Sequence, residues 1–538
     1  MFERDDRRAV LIVTLVWMAA IVAAAPLGDF PINDDWSWAL AVKALVVDHT
    51  WRLTDFTGMP LATQIVWGAL FSLPAGFSFV ALRVSTLVLA WAGIVGVYTL
   101  LRVCGSRRDT AALGAMGTAL CPLFFALSLT FMTDVPFLTL SVWAVIAAIE
   151  YERTPSRGRL MALVALVVAA TLLRQLGAAL AVALGAGVAV SSRRFRAAAA
   201  VALVPAAALA AYYRVIKAIG EPYYFHSRNA ELLATILHPS WRLTAQTVVK
   251  AIESGVYVGV LLAPVVLAVR WRRVNALSVA AGILVAAIPA AVVLRTGRGM
   301  PLFKSVLWDI GLNPVVIEGD RYWPAAPPWV WAIVTVAGIA AGAIVCVAVG
   351  RDIVGRLAAR RTDRARSGAF LLVALALGAM LVPVWFVPVF DRYFIAPFVL
   401  TFVLFAMAED TGRNAARPSA AQLGAAAIVL GTVWLFDVAA VHDCFAFNRA
   451  RWAAVRDLET SGLAGRDIDG GFEVNGLLSY TPDERVREDG AWYLPKRHPV
   501  AMLSLGPVDG YQRSATYPFR RWLPPGPGAV WVMRPAGP

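Results

Sequence analysis

Charge is scarce in this 538-residue chain: Asp, Glu, Lys and Arg make up 16% of it, against 59% hydrophobic residues. Soluble domains run nearer a quarter charged. Cysteine is equally sparse. Cys104, Cys121, Cys346 and Cys444 are scattered without a CxxC, which excludes a disulfide scaffold and signals no zinc site. There is no Walker loop and no GxGxxG after a strand, so a soluble nucleotide site is not indicated. No metal-ligand spacing and no solenoid period stand out. With a mean hydropathy of +0.66, a disordered chain is excluded and a polytopic membrane protein is indicated. The 49 Lys and Arg outnumber the 35 Asp and Glu, a net charge of +14. In so apolar a chain that excess belongs to cytoplasmic loops and is not a nucleic-acid footprint.

About thirteen apolar stretches approach the roughly 20 residues that a spanning helix needs. They are 9–27, 79–101, 110–128, 135–150, 159–173, 175–190, 197–213, 246–269, 274–294, 329–349, 369–387, 394–408 and 420–440. Arg4, Arg7 and Arg8 precede the first, which reads as a retained helix and not a signal peptide. Arginines crowd every even-numbered exit: Arg102, Arg107 and Arg108; Arg153, Arg157 and Arg159; Arg193, Arg194 and Arg196; Arg270, Arg272 and Arg273; Arg351 through Arg366; Arg413 and Arg417. This is the positive-inside pattern with the N-terminus cytoplasmic. The stretch 160–190 as one helix would run about 46 Å, too long for a hydrocarbon core of about 30 Å. Charge resolves it as a hairpin with Arg174 and Gln175 at the outer tip, because both Arg-rich flanks then face inward.

The expected fold is an all-α polytopic membrane protein with a small α/β extracytoplasmic C-terminal domain. The membrane domain covers 1–440 and carries outer loops at 28–78, 214–245 and 295–328; the C-terminal domain covers 441–538. In the latter, Arg449 through Leu463 reads as an amphipathic helix and Ile468 through Gly476 as strand and turn.

The outer side gathers carboxylates at membrane level: Asp34, Asp35, Asp134 and Asp391. Ionisable groups there are costly unless they face protein or a wet cavity, which makes them functional candidates. A carboxylate at a dry cleft edge can take a proton from a hydroxyl, and a pair such as Asp34–Asp35 can divide labour. Arg174 and Arg392 are the cationic counterparts, suited to bidentate phosphate binding. Each has a plainer reading. Asp34 and Asp35 can be loop residues after Pro31 and Asn33, and Asp134 can simply cap the helix opening at Val135–Pro136. Arg392–Tyr393 can be an interfacial anchor, and Lys250 can pair with Glu253 one helical turn on. His226 reads as a loop histidine and Asp437 as an interfacial residue.

The order of these features resembles the GT-C superfamily of membrane glycosyltransferases. The likeness is greatest to the branch of protein O-mannosyltransferases, the lipid A aminoarabinose transferase and the lipopolysaccharide-core galacturonosyltransferases. The acidic pair is Asp34–Asp35, followed by Gly58-Met-Pro60-Leu61, Arg83 opening the second span, Thr133-Asp134-Val-Pro136, Leu173-Arg174-Gln175 and Arg392-Tyr393-Phe-Ile-Ala-Pro397. The resemblance covers essentially the whole chain. Asp35 departs from the glutamate the family often has, which leaves the role of the second acid open.

The resemblance implies an inverting transferase at the outer face of a bacterial cytoplasmic membrane. Its donor would be a polyprenyl-phosphate sugar, and its acceptor an envelope glycan, lipid or protein. It implies Asp34 as general base, with Asp35 beside it, and Asp134 positioning a sugar or acceptor. Arg174 and Arg392 with Tyr393 would hold the departing phosphate, with Arg83 and Lys250 as further phosphate candidates. The 295–328 loop, with Asp320-Arg321-Tyr322-Trp323, would close over the site. No cofactor is expected; a divalent cation is left open, with none favoured, and no nucleic acid is expected. Competing readings are a transporter or flippase of a lipid-linked glycan, an O-antigen ligase or polymerase, and an inactive assembly subunit. A transporter should carry charged or broken helices near mid-membrane, whereas here the candidates cluster at outer ends.

Overall fold

The computed structural model describes residues 3–225, 234, 237, 241–268, 275–307, 311–312, 317, 326–358, 364–386, 388–409, 419–481, 496 and 499–536. His226, the run Asp320–Trp323, Arg270, Arg272, Arg273, Arg413 and Arg417 lie outside the described residues.

Each of the thirteen apolar stretches contains helix among the described residues. The helices are α1 (Arg4–Ala24), α4 (Phe79–Val103), the pair α5 (Arg108–Ala119) and α6 (Pro122–Ser128), α7 (Asp134–Arg153), α8 (Arg157–Leu173), α9 (Leu176–Ser192) and α10 (Phe195–Ile219). After these come α11 (Trp241–Val266), α12 (Ala276–Thr296), α13 (Pro328–Ala358), α14 (Arg364–Phe386), α15 (Ile395–Glu409) and α16 (Ala420–Thr460). Among the described residues, ten helical segments are long and apolar enough to cross a membrane, or eleven if α5 and α6 count as one span. The shorter α8 and α9, of 17 residues each, complete the set. The chain is thus a polytopic, mostly helical membrane protein with a small C-terminal mixed sheet.

Local chemistry explains the breaks. Pro122 opens α6; with no N–H of its own and a ring that disfavours helix at Cys121, it bends the pair by 61°. Ser78, Ser156 and Asn275 cap α4, α8 and α12 by accepting N–H bonds from Ala81, Arg159 and Ser278. The hairpin reading of 160–190 holds. Glu152, at the end of α7, accepts hydrogen bonds from Ser191 and Ser192 at the end of α9. Arg174, at the α8–α9 tip, instead reaches Asp134 at the start of α7.

The first outer loop differs from expectation, for it contains two helices, α2 (Asp35–Val46) and α3 (Ala62–Ala75). The 14 residues of α3 are apolar but too few to span. Gln64 there donates to the Phe131 carbonyl and Thr63 to that of Ala169. The C-terminal reading also changes. The helix expected at 449–463 is the end of α16, whose 41 residues run unbroken across position 441. At about 1.5 Å per residue it is roughly 62 Å long, so about half of it stands clear of the hydrocarbon. The strand expected at 468–476 is only β1 (Ile468–Asp469); α17 (Phe472–Ser479) follows at once. Asp437, expected at the interface, is fully buried on α16 with neither oxygen hydrogen-bonded among the described residues.

The sheet has the order β1–β2–β4–β3, with β2 (Ala501–Ser504), β3 (Tyr511–Trp522) and β4 (Pro525–Pro535). The strand β1 runs parallel to β2, and the other pairs are antiparallel. The β3–β4 hairpin leans on α16. Trp522 stacks on His442 at 3.8 Å, and Asp443 accepts the Trp522 and Leu523 N–H groups at 2.7 and 2.8 Å. Tyr517 donates to Asp457 at 2.7 Å.

Within the membrane, helices pack through small residues because lipid offers no hydrophobic drive to associate. The helices α11 and α13 meet at Gly259 and Gly338, where a Cβ on Gly259 would fall on the Gly338 carbonyl oxygen. Gly342, one turn on, leaves 3.6 Å to the nearest atom. Gly259→Leu is therefore expected to cost about 1–3 kcal/mol or more, while Gly342→Ala stays within about 0.5 kcal/mol. Thermal denaturation of the two purified variants, followed by loss of the monodisperse chromatographic peak, checks this; equal stability would refute the close crossing.

Candidate active site

Four side chains from distant parts of the chain meet at the end of the bundle marked by the α8–α9 tip. Asp34 precedes α2, and Asp134 is the first residue of α7. Arg174 ends α8, and Arg392 lies in the 3-10 turn Asp391–Phe394 that opens α15. They form two ion pairs. Arg392 Nη2 lies 2.8 Å from Asp34 Oδ2, and Arg174 Nη1 lies 2.7 Å from Asp134 Oδ1. The pairs are joined. The Arg174 guanidinium lies over the Tyr393 ring at 5.3 Å, and Arg392 feels the charge of Asp134 as well as that of Asp34. All four side chains are at most 14% exposed, so the charges are worth far more to one another than on a wet surface.

Two buried atoms in this cluster have no hydrogen-bond partner among the described residues: Asp134 Oδ2, an acceptor, and Arg392 Nε, a donor. Native structures rarely leave such atoms unsatisfied, and each calls for an explanation. A substrate that presents a hydroxyl to the first and an anionic oxygen to the second would satisfy both.

The remaining candidates serve the frame around this cluster. Asp35 is buried, and its two oxygens accept the N–H groups of Ile32 at 2.6 Å and Phe131 at 3.2 Å. Burial pushes its carboxyl well above the ordinary range, against the pull of those donors and of Arg83. Arg83 gives its donors to three carbonyls, Leu129 at 2.8 Å, Gly28 at 2.9 Å and Phe30 at 3.2 Å. Asp35 and Arg83 thus tie the stretch before α2 to the stretch before α7, which brings Asp34 near Asp134. Lys250 sits on α11 near Glu253, whose carboxylate is 3.8 Å from Arg298. Among the described residues Lys250 makes no hydrogen bond or ion pair with the cluster.

Asp391 is fully buried and accepts the N–H groups of Val306 at 3.0 Å and Leu307 at 2.7 Å, with the Tyr257 hydroxyl at 3.5 Å. It fixes the turn that presents Arg392. Two further residues contribute. Gln175, at the expected hairpin tip, donates to the Gly58 carbonyl and so holds the loop after α1 against the α8–α9 tip. Glu473, from α17, accepts the Asn33 N–H at 3.0 Å. Among the described residues no group of three His, Cys, Asp or Glu side chains is placed to hold a metal ion.

Fold and site together define a polytopic membrane protein with a buried carboxylate–arginine cluster at one membrane face. No family model matches the chain, and no curated protein matches it. Among solved structures it is similar to ArnT from Cupriavidus metallidurans bound to undecaprenyl phosphate, at 14% identity, 98% of each chain and a TM-score of 0.41. The apo form of that ArnT gives a TM-score of 0.37 at the same identity and coverage. The apo oligosaccharyltransferase of Archaeoglobus fulgidus is similar over 92% of this chain and 61% of its own, at 12% identity and a TM-score of 0.43. At that depth of likeness the chemistry of the site rests on its own side chains.

If Arg174 and Asp134 are one buried pair, removing either partner strands the other. Arg174→Met is expected to destabilise by about 3–5 kcal/mol, and adding Asp134→Asn should recover about 1 kcal/mol or more. Thermal melts of wild type, both single variants and the double close the cycle; additive losses would exclude the pair.

Proposed function

We propose that this chain is an inverting glycosyltransferase of the GT-C type. It moves a sugar from a polyprenyl-phosphate donor to a cell-envelope acceptor, with Asp34 as the general base. The observation that carries this reading is the joined pair of carboxylate–arginine contacts with one acceptor and one donor left open, Asp134 Oδ2 and Arg392 Nε. A base and a phosphate clamp must lie side by side for this reaction. The acceptor hydroxyl loses its proton to Asp34 as its oxygen bonds to the anomeric carbon. The bond from that carbon to the phosphate oxygen breaks, and the electron pair leaves with the polyprenyl phosphate.

The leaving phosphate gains charge as the bond lengthens. Arginines already held in a nearly dry site stabilise that charge with little reorganisation. Arg392 supplies Nε and Arg174 its remaining donors, and Tyr393 packs beneath the Arg174 guanidinium. Asp134 Oδ2 accepts a hydroxyl of the sugar or of the acceptor. In this reading Asp35 and Arg83 shape the loop and do not touch substrate, and Lys250 stands outside the reaction. The same reading puts the protein in a bacterial cytoplasmic membrane, with its N-terminus in the cytoplasm and its C-terminal part outside. The lipid donor reaches the cluster from the bilayer and the acceptor from the aqueous side, and no nucleic acid takes part.

The test uses purified full-length wild type and Asp34→Asn, a panel of polyprenyl-phosphate sugars and an envelope extract as acceptor. Release of free polyprenyl phosphate is measured. The expected result is turnover by wild type and a loss of about 10²-fold or more per folded molecule in Asp34→Asn, with the variant less stable because Arg392 loses its charged partner. Equal turnover by both would remove Asp34 as the base.

A further inference from the structure

Asp34 follows a residue in an unusual conformation. Asn33 has φ +61°, in the left-handed region that side-chain-bearing residues seldom adopt. Two carboxylates hold the backbone there. Asp35 Oδ1 takes the Ile32 N–H at 2.6 Å, and Glu473 Oε1 takes the Asn33 N–H at 3.0 Å. The first comes from the same loop; the second comes from 440 positions downstream.

Glu473 is itself tightly placed. It is buried, and its Oε2 lies 2.9 Å from Arg451 Nη2 in an off-axis ion pair. Arg451, fully buried on α16, donates through Nε to the Gly470 carbonyl at 2.7 Å and through Nη1 to Asn448 Oδ1 at 3.3 Å. Asn475 closes the turn by accepting the Gly470 N–H and donating to Asp469. On its other side α17 lies flush against the start of α2. A Cβ on Gly476 would come within 2.5 Å of the Trp36 ring, and Phe472 packs on Trp36 and Phe56 at 6.3 and 5.7 Å. The chain therefore reaches back from its C-terminal part to grip the residue next to Asp34.

We propose that Glu473 is a positioning residue for transfer: anchored by Arg451, it holds the Asn33 amide so that the Asp34 carboxylate faces Arg392. The C-terminal part then completes the active site, beyond any role it has in meeting the acceptor. This rests on the reading of Asp34 as base, and the test separates the two.

The variants are Glu473→Ala alone, and Glu473→Ala and Glu473→Gln each combined with Arg451→Met, because without the carboxylate the buried Arg451 guanidinium is left stranded. Asp34→Asn serves as reference. All are made in the full-length protein in lipid nanodiscs. Amide hydrogen exchange over residues 28–36 is read first, because it does not depend on turnover. Exchange there is expected to rise about tenfold in both alanine variants and to stay near wild type in the Gln variant, whose amide oxygen still accepts the Asn33 N–H. In the donor assay, kcat is expected to fall about 10- to 100-fold in the alanine variants, with KM for the donor within about twofold and the Gln variant restoring most of the rate. A purely structural role would lower the yield of folded protein and leave kcat per folded molecule alone.

Unchanged exchange over 28–36 in both alanine variants would overturn the proposal. So would a kcat loss that Gln does not rescue, or a loss carried by KM. Full turnover by Asp34→Asn would instead sink the base reading and the positioning role with it, while raised exchange in the alanine variants would still identify the grip on Asn33.

Discussion

Opposite charge buried at a membrane face is the interaction on which the rest of this molecule depends. A guanidinium or a carboxylate alone at that depth costs several kcal/mol. Each is tolerated because a partner from another helix meets it, Arg174 with Asp134 and Arg392 with Asp34. The pairs fix where four segments of the chain must end. The start of α7, the end of α8, the turn before α15 and the loop before α2 all stop at one place because their charges have nowhere else to go. The bent α5–α6 pair makes room for this. Its exit carries the Phe131 N–H to Asp35 and the Leu129 carbonyl to Arg83, and so fixes the loop that bears Asp34.

The same demand for partners separates candidates that look alike in the sequence. Asp34 and Asp35 are adjacent, yet Asp35 has both oxygens on backbone N–H groups while Asp34 faces an arginine. Arg83 lies in the second turn of α4 and Arg392 in the turn that leads into α15. Arg83 is consumed by three carbonyls, whereas Arg392 keeps a buried N–H that has no partner among the described residues. Among the described residues, Asp134 and Arg392 combine unspent hydrogen-bonding capacity with proximity to Asp34 and Arg174.

The C-terminal part belongs to this arrangement. It is tied to the membrane part by α16, which passes from lipid to water without a break, and by α17, which lies on α2 through Gly476 and Trp36. The β3–β4 hairpin, pinned at His442 and Asp443, stiffens α16 just where it leaves the apolar layer. A rigid α16 carries Arg451 and so Glu473 to a constant position relative to Asn33.

Much of this was legible in the linear order of residues. Apolar runs near spanning length mark the helices, and arginines at alternate exits mark which helix ends lie together, because hydrocarbon excludes polar backbone and charge whatever the neighbours are. The α8–α9 hairpin follows from that rule alone. Asp134, Arg174 and Arg392 stand at the ends of apolar stretches, and Asp34 in the loop after the first. The tertiary structure decided what depends on contacts between distant segments. It chose which carboxylate takes which arginine, committed Asp35 and Arg83 to backbone groups, and buried Asp437 against protein. It also folded the first outer loop into α2 and α3 and brought Glu473 to Asn33. Sidedness is a property of each segment against the solvent, and a sequence carries it. A hydrogen bond between residues 440 apart is a property of packing, and no local pattern announces it.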